Sequence, residues 1–128
     1  MNAIIKNSIE EISEENFLEL SANISSPFMD YQFLHALEKS KSACLENGWE
    51  PTHFTKNEKD KITGFVPLYK KYNSSGEFVF DHSWAHALEQ AGRKYYPKLL
   101  TAIPFTPCKG ERIIGKDEVT RNELIQDI

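Results

Sequence analysis

The sequence lacks several features that would assign it to a class at once. It has two cysteines, Cys44 and Cys108, which are far apart and form no CxxC pair. This favours reduced thiols in a cytoplasmic protein over a disulfide. No stretch approaches the roughly 20 apolar residues that a membrane-spanning helix needs. Residues 1–6 also lack the basic start and apolar core of a signal peptide.

Basic charge is also scarce. The chain has 15 Lys and Arg against 19 Asp and Glu, a formal net charge of -4. This balance gives no electrostatic reason for general binding to nucleic acid or to an anionic membrane. The 6 glycines are scattered and form no phosphate-binding loop. A polyanionic ligand would therefore depend on local basic groups.

The composition is that of one ordinary globular domain, with 128 residues, 40% of them hydrophobic and 27% charged. A weak strand is predicted at residues 4–9. Ser13 is predicted to cap a first helix. Ser26 and Pro27 are predicted to start a second helix, in a region that Asn47-Gly48 ends.

The middle of the chain predicts an antiparallel meander, then a helix and a further strand. Pro67, inside the longest strand segment, favours an edge position or a bulge. Trp84, Leu88 and Ala91 have helical spacing, and Gly92 is placed to end that helix. The predicted strands are residues 52–56, 62–72, 77–80 and 99–103.

The last residues predict a helix that starts close to the end of the sequence. Thr120 and Glu123 fit a capping box, and an apolar stripe begins at Leu124. So complete a start signal, followed by so little helix, predicts that residues 1–128 are the N-terminal part of a larger domain whose remainder is absent. The alternative is a short terminal helix that docks on the sheet.

The densest group of polar residues is Asp81, His82, Ser83 and His86. His82 and His86 would share one helix face, a spacing that suits a metal, but no third strong ligand is evident, so no metal site is predicted. Adjacent residues cannot normally adopt catalytic-triad geometry, and no Gly-x-Ser-x-Gly motif is present. Cys108 would need a neighbouring base to act as a nucleophile, and a surface thiol is the simpler interpretation.

Residues 93–98, Arg-Lys-Tyr-Tyr-Pro-Lys, combine cations with aromatic rings after the predicted helix. Such a set could hold a phosphate-bearing ligand or stack a base. It is equally typical of a helix C-terminus, where cations complement the helix dipole and aromatic side chains pack beneath a sheet. The pattern leaves both interpretations open.

Several segments carry a more specific signal. The longest is residues 76–114, in which YYPKL is followed by PFTP, and shorter ones are residues 26–38, GWEP at 48–51 and VPLY at 66–69. Together they resemble a FemAB-like bacterial family, usually described as GNAT-type N-acyltransferases or as relatives of peptidoglycan-bridge enzymes. The resemblance spans roughly residues 26–114, and complete members of the family are much longer.

The resemblance implies an α/β fold of the GNAT type (α+β, with a mixed sheet), an antiparallel meander with flanking helices, here incomplete. It implies transfer of an acyl or aminoacyl group to a small-molecule or peptide amine, which attacks the activated carbonyl directly. The donor would be an acyl-CoA or an aminoacyl-tRNA. The sequence lacks the Arg/Gln-x-x-Gly-x-Gly/Ala pyrophosphate loop of GNAT enzymes, which argues against coenzyme A binding by this segment.

A competing hypothesis is a non-catalytic module that binds a substrate or a partner. The predicted substrate-facing surface is formed by the loops at residues 81–86 and 104–107, which follow two predicted strands, because ligands of open α/β sheets tend to bind where strands end. The oligomeric state does not follow from the sequence.

Asp81 is the predicted proton acceptor, with a pKa raised by an aromatic wall of Trp84 and Phe105. Its alternative role is only to cap the helix. Tyr95, Tyr96 and Lys98 are predicted to hold an anionic part of the donor. The predicted substrate-binding residues are Trp84, His86, Tyr95, Tyr96, Lys98, Phe105 and Thr106.

Overall fold

The computed structural model describes residues 3–78 and 81–128, and within these residues the chain forms four α-helices and two antiparallel sheets. This confirms the predicted combination of an antiparallel meander with flanking helices, although two separate sheets replace a single mixed one. The helices are α1 (Glu14–Leu20), α2 (Tyr31–Lys39), α3 (His82–Gln90) and α4 (Glu118–Asp127). The strands are β1 (Ala3–Lys6), β2 (Glu50–Pro51), β3 (His53–Glu58), β4 (Lys61–Val66), β5 (Tyr69–Lys71), β6 (Lys98–Leu100) and β7 (Ile114–Gly115).

The larger sheet has the strand order β1-β3-β4-β7, and the smaller has the order β2-β5-β6. β3 and β4 form a hairpin whose register places Thr55 opposite Phe65, and β1 adds along β3 with Ile4 opposite Thr55. In the smaller sheet, β5 and β6 pair so that Lys71 lies opposite Lys98. This last pairing positions the site described below.

The long strand predicted for residues 62–72 is two strands in different sheets, so that prediction was wrong. β4 ends at Val66 and β5 begins at Tyr69. Pro67 lies between them, since it has no N–H to donate to a ladder. Thr52 N donates to Leu68 O at 2.9 Å, where the chain passes from one sheet to the other. The predicted strand at 77–80 lies partly outside the described residues, and residues 77 and 78 are not in a strand.

Two local helix signals are confirmed. Ser13 Oγ accepts a hydrogen bond from Asn16 N at 3.4 Å and caps α1. Gly92 has a φ of 79° just after the end of α3, a left-handed conformation that glycine adopts without a steric penalty. Both signals act over a few residues, which is why the sequence alone could predict them.

The second predicted helix is divided differently. Ser26 and Pro27 start a short 3-10 turn, Pro27–Met29, and α2 begins only at Tyr31. Gly48 closes a separate 3-10 turn, Leu45–Asn47, after α2 has ended. The signals at Ser26-Pro27 and at Gly48 do mark a start and an end, but of two short turns that flank α2.

The cap of α4 is Asp117, so the predicted capping box at Thr120 is wrong. Asp117 Oδ1 accepts from Thr120 N at 2.8 Å and from Thr120 Oγ1 at 2.7 Å. Thr120 therefore lies inside the first turn. The helix docks on the larger sheet through Leu124, which is fully buried, and through an ion pair between Glu123 and the buried Lys56 at 2.7 Å.

The main core lies between the helices α1 and α2 and strand β4. Its buried residues are Ile9, Ile12, Phe17, Met29, Tyr31, Leu34, Phe65, Ile103 and Ile114. A smaller core of Ala43, Trp49 and Tyr69 lies against the three-stranded sheet. In residues 3–78 and 81–128 there is no helix with the length and apolar character required to cross a membrane.

Candidate functional site

Lys98 lies at the centre of a group of polar side chains that come from distant parts of the sequence. Its Nζ atom donates to Asp81 Oδ2 at 2.6 Å, to Glu77 Oε1 at 2.8 Å and to Ser74 Oγ at 3.0 Å. We call this group the Lys98 cluster. It comprises Ser74, Glu77, Asp81, Tyr95, Tyr96 and Lys98.

The pairing of β5 with β6 explains why a carboxylate is needed beside Lys98. Because Lys71 and Lys98 lie directly opposite each other on β5 and β6, their side chains share one face of the smaller sheet. Like charges in this arrangement repel. Glu77 lies between the two ammonium groups, with Oε1 at 2.8 Å from Lys98 Nζ and Oε2 at 3.7 Å from Lys71 Nζ. The loop before α3 thus supplies the charge that the sheet requires.

Two tyrosines complete the cluster. Tyr95 OH donates to Asp81 Oδ2 at 2.6 Å, and the hydroxyls of Tyr96 and Ser74 share a hydrogen bond of 2.6 Å. The two tyrosine rings meet edge to face, with centroids 5.0 Å apart. Lys98 Nζ lies 5.4 Å and 5.7 Å from the two ring centroids, within the range of cation–π attraction.

The electrostatics of the cluster keep Asp81 ionised. Burial raises the pKa of Asp81, but the neighbouring side chains of Lys98, Ser74 and Tyr95 lower it, and the net pKa lies below the usual range of an aspartate. Burial lowers the pKa of Lys98, because it also disfavours a positive charge, while the bonds to Asp81 and Glu77 raise the pKa above its usual value. Asp81 and Lys98 therefore form an ion pair, and the expected upward shift of the Asp81 pKa is wrong.

The predicted aromatic wall beside Asp81 is also not formed. Trp84 is 74% exposed on α3. The ring of Phe105 lies 5.6 Å from that of Trp49, and Phe105 N donates to Gly76 O at 3.2 Å. The hydrogen-bonding neighbours of Asp81 are cationic and phenolic, which is why its pKa moves down.

The alternative role of Asp81 as a helix cap is not seen either. Asp81 occupies the N-cap position of α3, yet within the described part of the chain its side chain accepts no capping hydrogen bond. Its Oδ2 atom is instead occupied by Tyr95 and Lys98. Asp81 thus fixes the start of α3 through the smaller sheet.

Of the predicted binding residues, the structure brings Tyr95, Tyr96 and Lys98 to Asp81 and leaves the others apart. His86 lies on the exposed side of α3. Thr106 Oγ1 donates to its own neighbour Pro104 O at 3.1 Å. The two predicted loops therefore contribute unequally, and the segment at 95–98 contributes most.

Lys71 and Trp49 were missed by sequence reasoning, although they support the cluster. Lys71 is fully buried, its Nζ donates to Ser75 O at 2.6 Å, and it lies 3.9 Å from the centre of the Trp49 ring system. Burial lowers the pKa of Lys71, and Glu77 opposes that shift. The available signal was the alternation in β5, which places Lys71 on the same face as Tyr69.

Two buried carboxylate oxygens of the cluster have no hydrogen bond. Asp81 Oδ1 and Glu77 Oε2 have no hydrogen-bond donor among residues 3–78 and 81–128, although Lys71 Nζ lies 3.7 Å from Glu77 Oε2. Buried polar atoms are normally hydrogen-bonded, and each exception calls for an explanation such as a water, an ion or a functional role. The arrangement can therefore accept hydrogen bonds from a cationic or amine group.

Metal chemistry has little support in the described structure. Within residues 3–78 and 81–128 no group of at least 3 His, Cys, Asp or Glu side chains could hold a metal ion. The expectation that His82 and His86 bind no zinc tightly stays a prediction. Cys44 and Cys108 are free and partly exposed.

Comparison with known proteins places the chain in a family. A FemAB-like family model, described as peptidoglycan biosynthesis/recognition, matches residues 8–128. No curated protein and no solved structure matches the chain. The family match covers the whole Lys98 cluster and both sheets except β1. The chain belongs to the FemAB-like family, a family of peptidoglycan biosynthesis and recognition.

Proposed function

We propose that this chain is part of a FemAB-like N-acyltransferase, and that the Lys98 cluster holds the amine that accepts the acyl or aminoacyl group. The observation that carries the proposal is the pair of buried carboxylate oxygens without a hydrogen bond among the described residues, Asp81 Oδ1 and Glu77 Oε2, of which the second lies 3.7 Å from Lys71 Nζ. A protonated amine makes charge-assisted hydrogen bonds to such oxygens. The rings of Tyr95 and Tyr96 add cation–π attraction for the same group.

In this reaction the amine nitrogen forms a bond to the carbonyl carbon of the donor. The donor bond that breaks is C–S in an acyl-CoA or C–O in an aminoacyl-tRNA. The protonated amine loses two protons in all, one before the attack and one after it, and the departing sulfur or oxygen takes up one of them. Asp81 is a weak base in this state, because its pKa is held below the usual range. Its role in the proposal is to bind and orient the amine, and the other proton passes to a group outside the cluster.

A second candidate function is a non-catalytic module that binds an amine-bearing ligand. The full pairing of Lys98 with two carboxylates favours it, since an ion-paired cluster recognises charge without moving a proton. Both candidates predict amine binding at the same residues. They differ only in whether an acylated product forms.

The test measures binding and transfer on one protein, the full natural protein, because the proposal makes this chain part of the enzyme. Acetyl-CoA and alanyl-tRNA serve as donors and a panel of small amines and lysine-containing peptides as acceptors, and mass spectrometry detects the N-acylated product. Asp81→Asn and Glu77→Gln are expected to lower amine affinity by about tenfold each, the effect of losing one charge-assisted hydrogen bond. Asp60→Asn, in the exposed turn between β3 and β4, is the matched control.

Transfer that is lost in both cluster variants and kept in the control supports the acyltransferase. Amine binding with the same sensitivity but without any product supports the binding module. Transfer or binding that is equal in all four proteins removes the Lys98 cluster from the function.

A further inference from the structure

A cleft on the other sheet lies apart from the Lys98 cluster and shares no residue with it. It lies between α1, the β4 and β7 end of the larger sheet and the start of α4, and its volume is about 580 Å³. Ligand sites of small molecules commonly have volumes of about 300–1,000 Å³. Its apolar wall is formed by Leu20, Ile24, Ile62 and Ile113.

The rim of the cleft is charged. Its ion pairs are Lys61 with Glu19 at 3.5 Å, Lys116 with Glu58 at 2.6 Å and Arg121 with Glu111 at 3.5 Å. Lys59 adds a fourth cation to the lining, which has three acidic side chains, and Glu118 beside the lining pairs with Arg121 at 2.8 Å, so the charges balance. The rim therefore suits a ligand with a single negative charge that replaces one of these carboxylates beside its cation.

Arg121 offers the geometry that such a charge needs. Its Nη1 donates to Glu118 at 2.8 Å, but its Nη2 reaches Glu111 only at 3.5 Å. Its Nε atom is buried and has no hydrogen-bond partner in the described part of the chain. Nε and Nη2 form one edge of the guanidinium, and a carboxylate bridges such an edge with two parallel hydrogen bonds.

Gly115 holds the arginine in this place. A Cβ atom at position 115 would lie 2.7 Å from Arg121 Cγ and 2.9 Å from Arg121 N. Only a glycine therefore lets the first turn of α4 lie this close to β7. The close contact directs the Arg121 side chain along the edge of the larger sheet and into the lining of the cleft.

We propose that this cleft binds an apolar monocarboxylate. The carboxylate bridges the Nε and Nη2 atoms of Arg121, in place of the long contact to Glu111, and the aliphatic part lies against Leu20, Ile24 and Ile62. A dianion such as a phosphate monoester fits less well, because three glutamates share the rim and Glu118 balances its remaining positive charge. The site is independent of the amine site and of the proposed transfer.

The proposal is tested by an amide NMR titration of the ¹⁵N-labelled full chain with sodium hexanoate. Saturable shifts are expected at Ile62, Gly115 and Arg121. Hexanamide, which has the same chain without the charge, is expected to bind about tenfold more weakly. Inorganic phosphate is expected to give no saturable shift at these residues.

Variants separate the carboxylate contact from the apolar one. Arg121→Gln keeps a good helix former and is expected to weaken hexanoate binding by about tenfold. Lys59→Asn removes one cation of the rim at a turn position with a φ of 59°, which asparagine tolerates, and is expected to weaken binding less. Arg93→Gln, at an exposed arginine after α3, is the control and is expected to bind as the unchanged chain does.

The proposal is overturned if hexanamide and hexanoate bind with equal affinity, or if phosphate binds with the higher affinity at the same residues. It is also overturned if hexanoate binding is unchanged in both Arg121→Gln and Lys59→Asn. Absence of saturable shifts in the unchanged chain would do the same. If Arg121→Gln lost the native amide spectrum, hexanoate binding by Lys59→Asn would test the proposal instead, because position 59 lies outside every helix and strand.

Discussion

At the scale of single residues, the acceptor oxygen Asp81 Oδ2 joins three segments of the chain. It accepts at 2.6 Å from Tyr95 and at 2.6 Å from Lys98, so the start of α3 is tied to the segment after α3 and to β6. Breaking one partner of a buried charge pair leaves the other charge without compensation. The residue should therefore matter to stability as well as to binding.

We predict that Asp81→Asn destabilises the chain by about 2 kcal/mol at pH 7, because the amide cannot pair with the Lys98 ammonium. The folded-state pKa of Asp81 is lowered, so its stabilisation is fully present above the unfolded pKa of about 3.9 and is lost as the pH falls toward the folded value. Urea denaturation at pH 7 and at pH 3 measures the free energy of unfolding of both proteins.

The difference between the two proteins should be smaller at pH 3 than at pH 7. Asp60→Asn, on an exposed turn, should show no such difference at either pH. If Asp81→Asn were as stable as the unchanged chain at pH 7, the ion pair would contribute nothing, and the amine site built on it would lose its support.

At the scale of elements, α4 depends on a glycine in the strand beneath it. A Cβ atom at Gly64 of β4 would lie 2.6 Å from Leu124 Cδ1 and 3.2 Å from Thr120 Cγ2. The fully buried Leu124 occupies the space that the missing side chain leaves. The other large apolar residues of α4, Val119 and Ile125, are 65% and 55% exposed, so Leu124 is the main apolar anchor of the helix.

We predict that Gly64→Ala destabilises the docking of α4 by about 1–3 kcal/mol, the usual cost of overpacking. Native-state hydrogen exchange should show faster exchange in residues 118–127 than in α2. Leu124→Ala in the same chain should recover part of the loss, since it makes room for the new methyl group. Gly110→Ala is the control, because its nearest contact is the flexible end of Arg112. Equal protection of α4 before and after the change would contradict the prediction.

The same elements show which features of the fold can be predicted from the sequence and which cannot. Ser13 and Gly92 act within a few residues, and the sequence alone predicted both correctly. Asp117 and Thr120 can each cap a helix, and only the direction from which the chain approaches α4 decides between them. The segments of the Lys98 cluster are joined by the β5–β6 pairing, which a local pattern cannot reveal. Hence the cations and tyrosines were predicted, but not the ion pair that lowers the pKa of Asp81.

At the scale of the whole molecule, several large apolar side chains face solvent around α3 and the smaller sheet. Trp84 is 74% exposed, Phe78 63% and Leu99 54%. Single exposed apolar residues are common in soluble domains, but groups of them mark contact surfaces or favour association. On the side of the larger sheet, β1 exposes Ile4 and Ile5, and α4 exposes Val119 and Ile125.

We predict that the chain self-associates as its concentration rises, because association removes these side chains from water. Sedimentation velocity across a hundredfold range of concentration measures the effect. Leu99→Thr keeps a residue that favours strands and should shift association to higher concentration. Val119→Thr, an exposed position on α4 at the other sheet, should leave it unchanged. A single monomeric species at all concentrations would contradict the prediction.

One of the two tryptophans is buried and the other is exposed, so a quencher can separate their intrinsic fluorescence. Trp49 is fully buried against Lys71 and donates from Nε1 to Ser75 O at 3.1 Å, whereas Trp84 projects into solvent. A collisional quencher such as acrylamide reaches the indole on α3 and not the one beneath the smaller sheet. The fluorescence that remains after quenching therefore comes from Trp49. A change in this fluorescence measures opening of the turn that carries Ser75, without an added label.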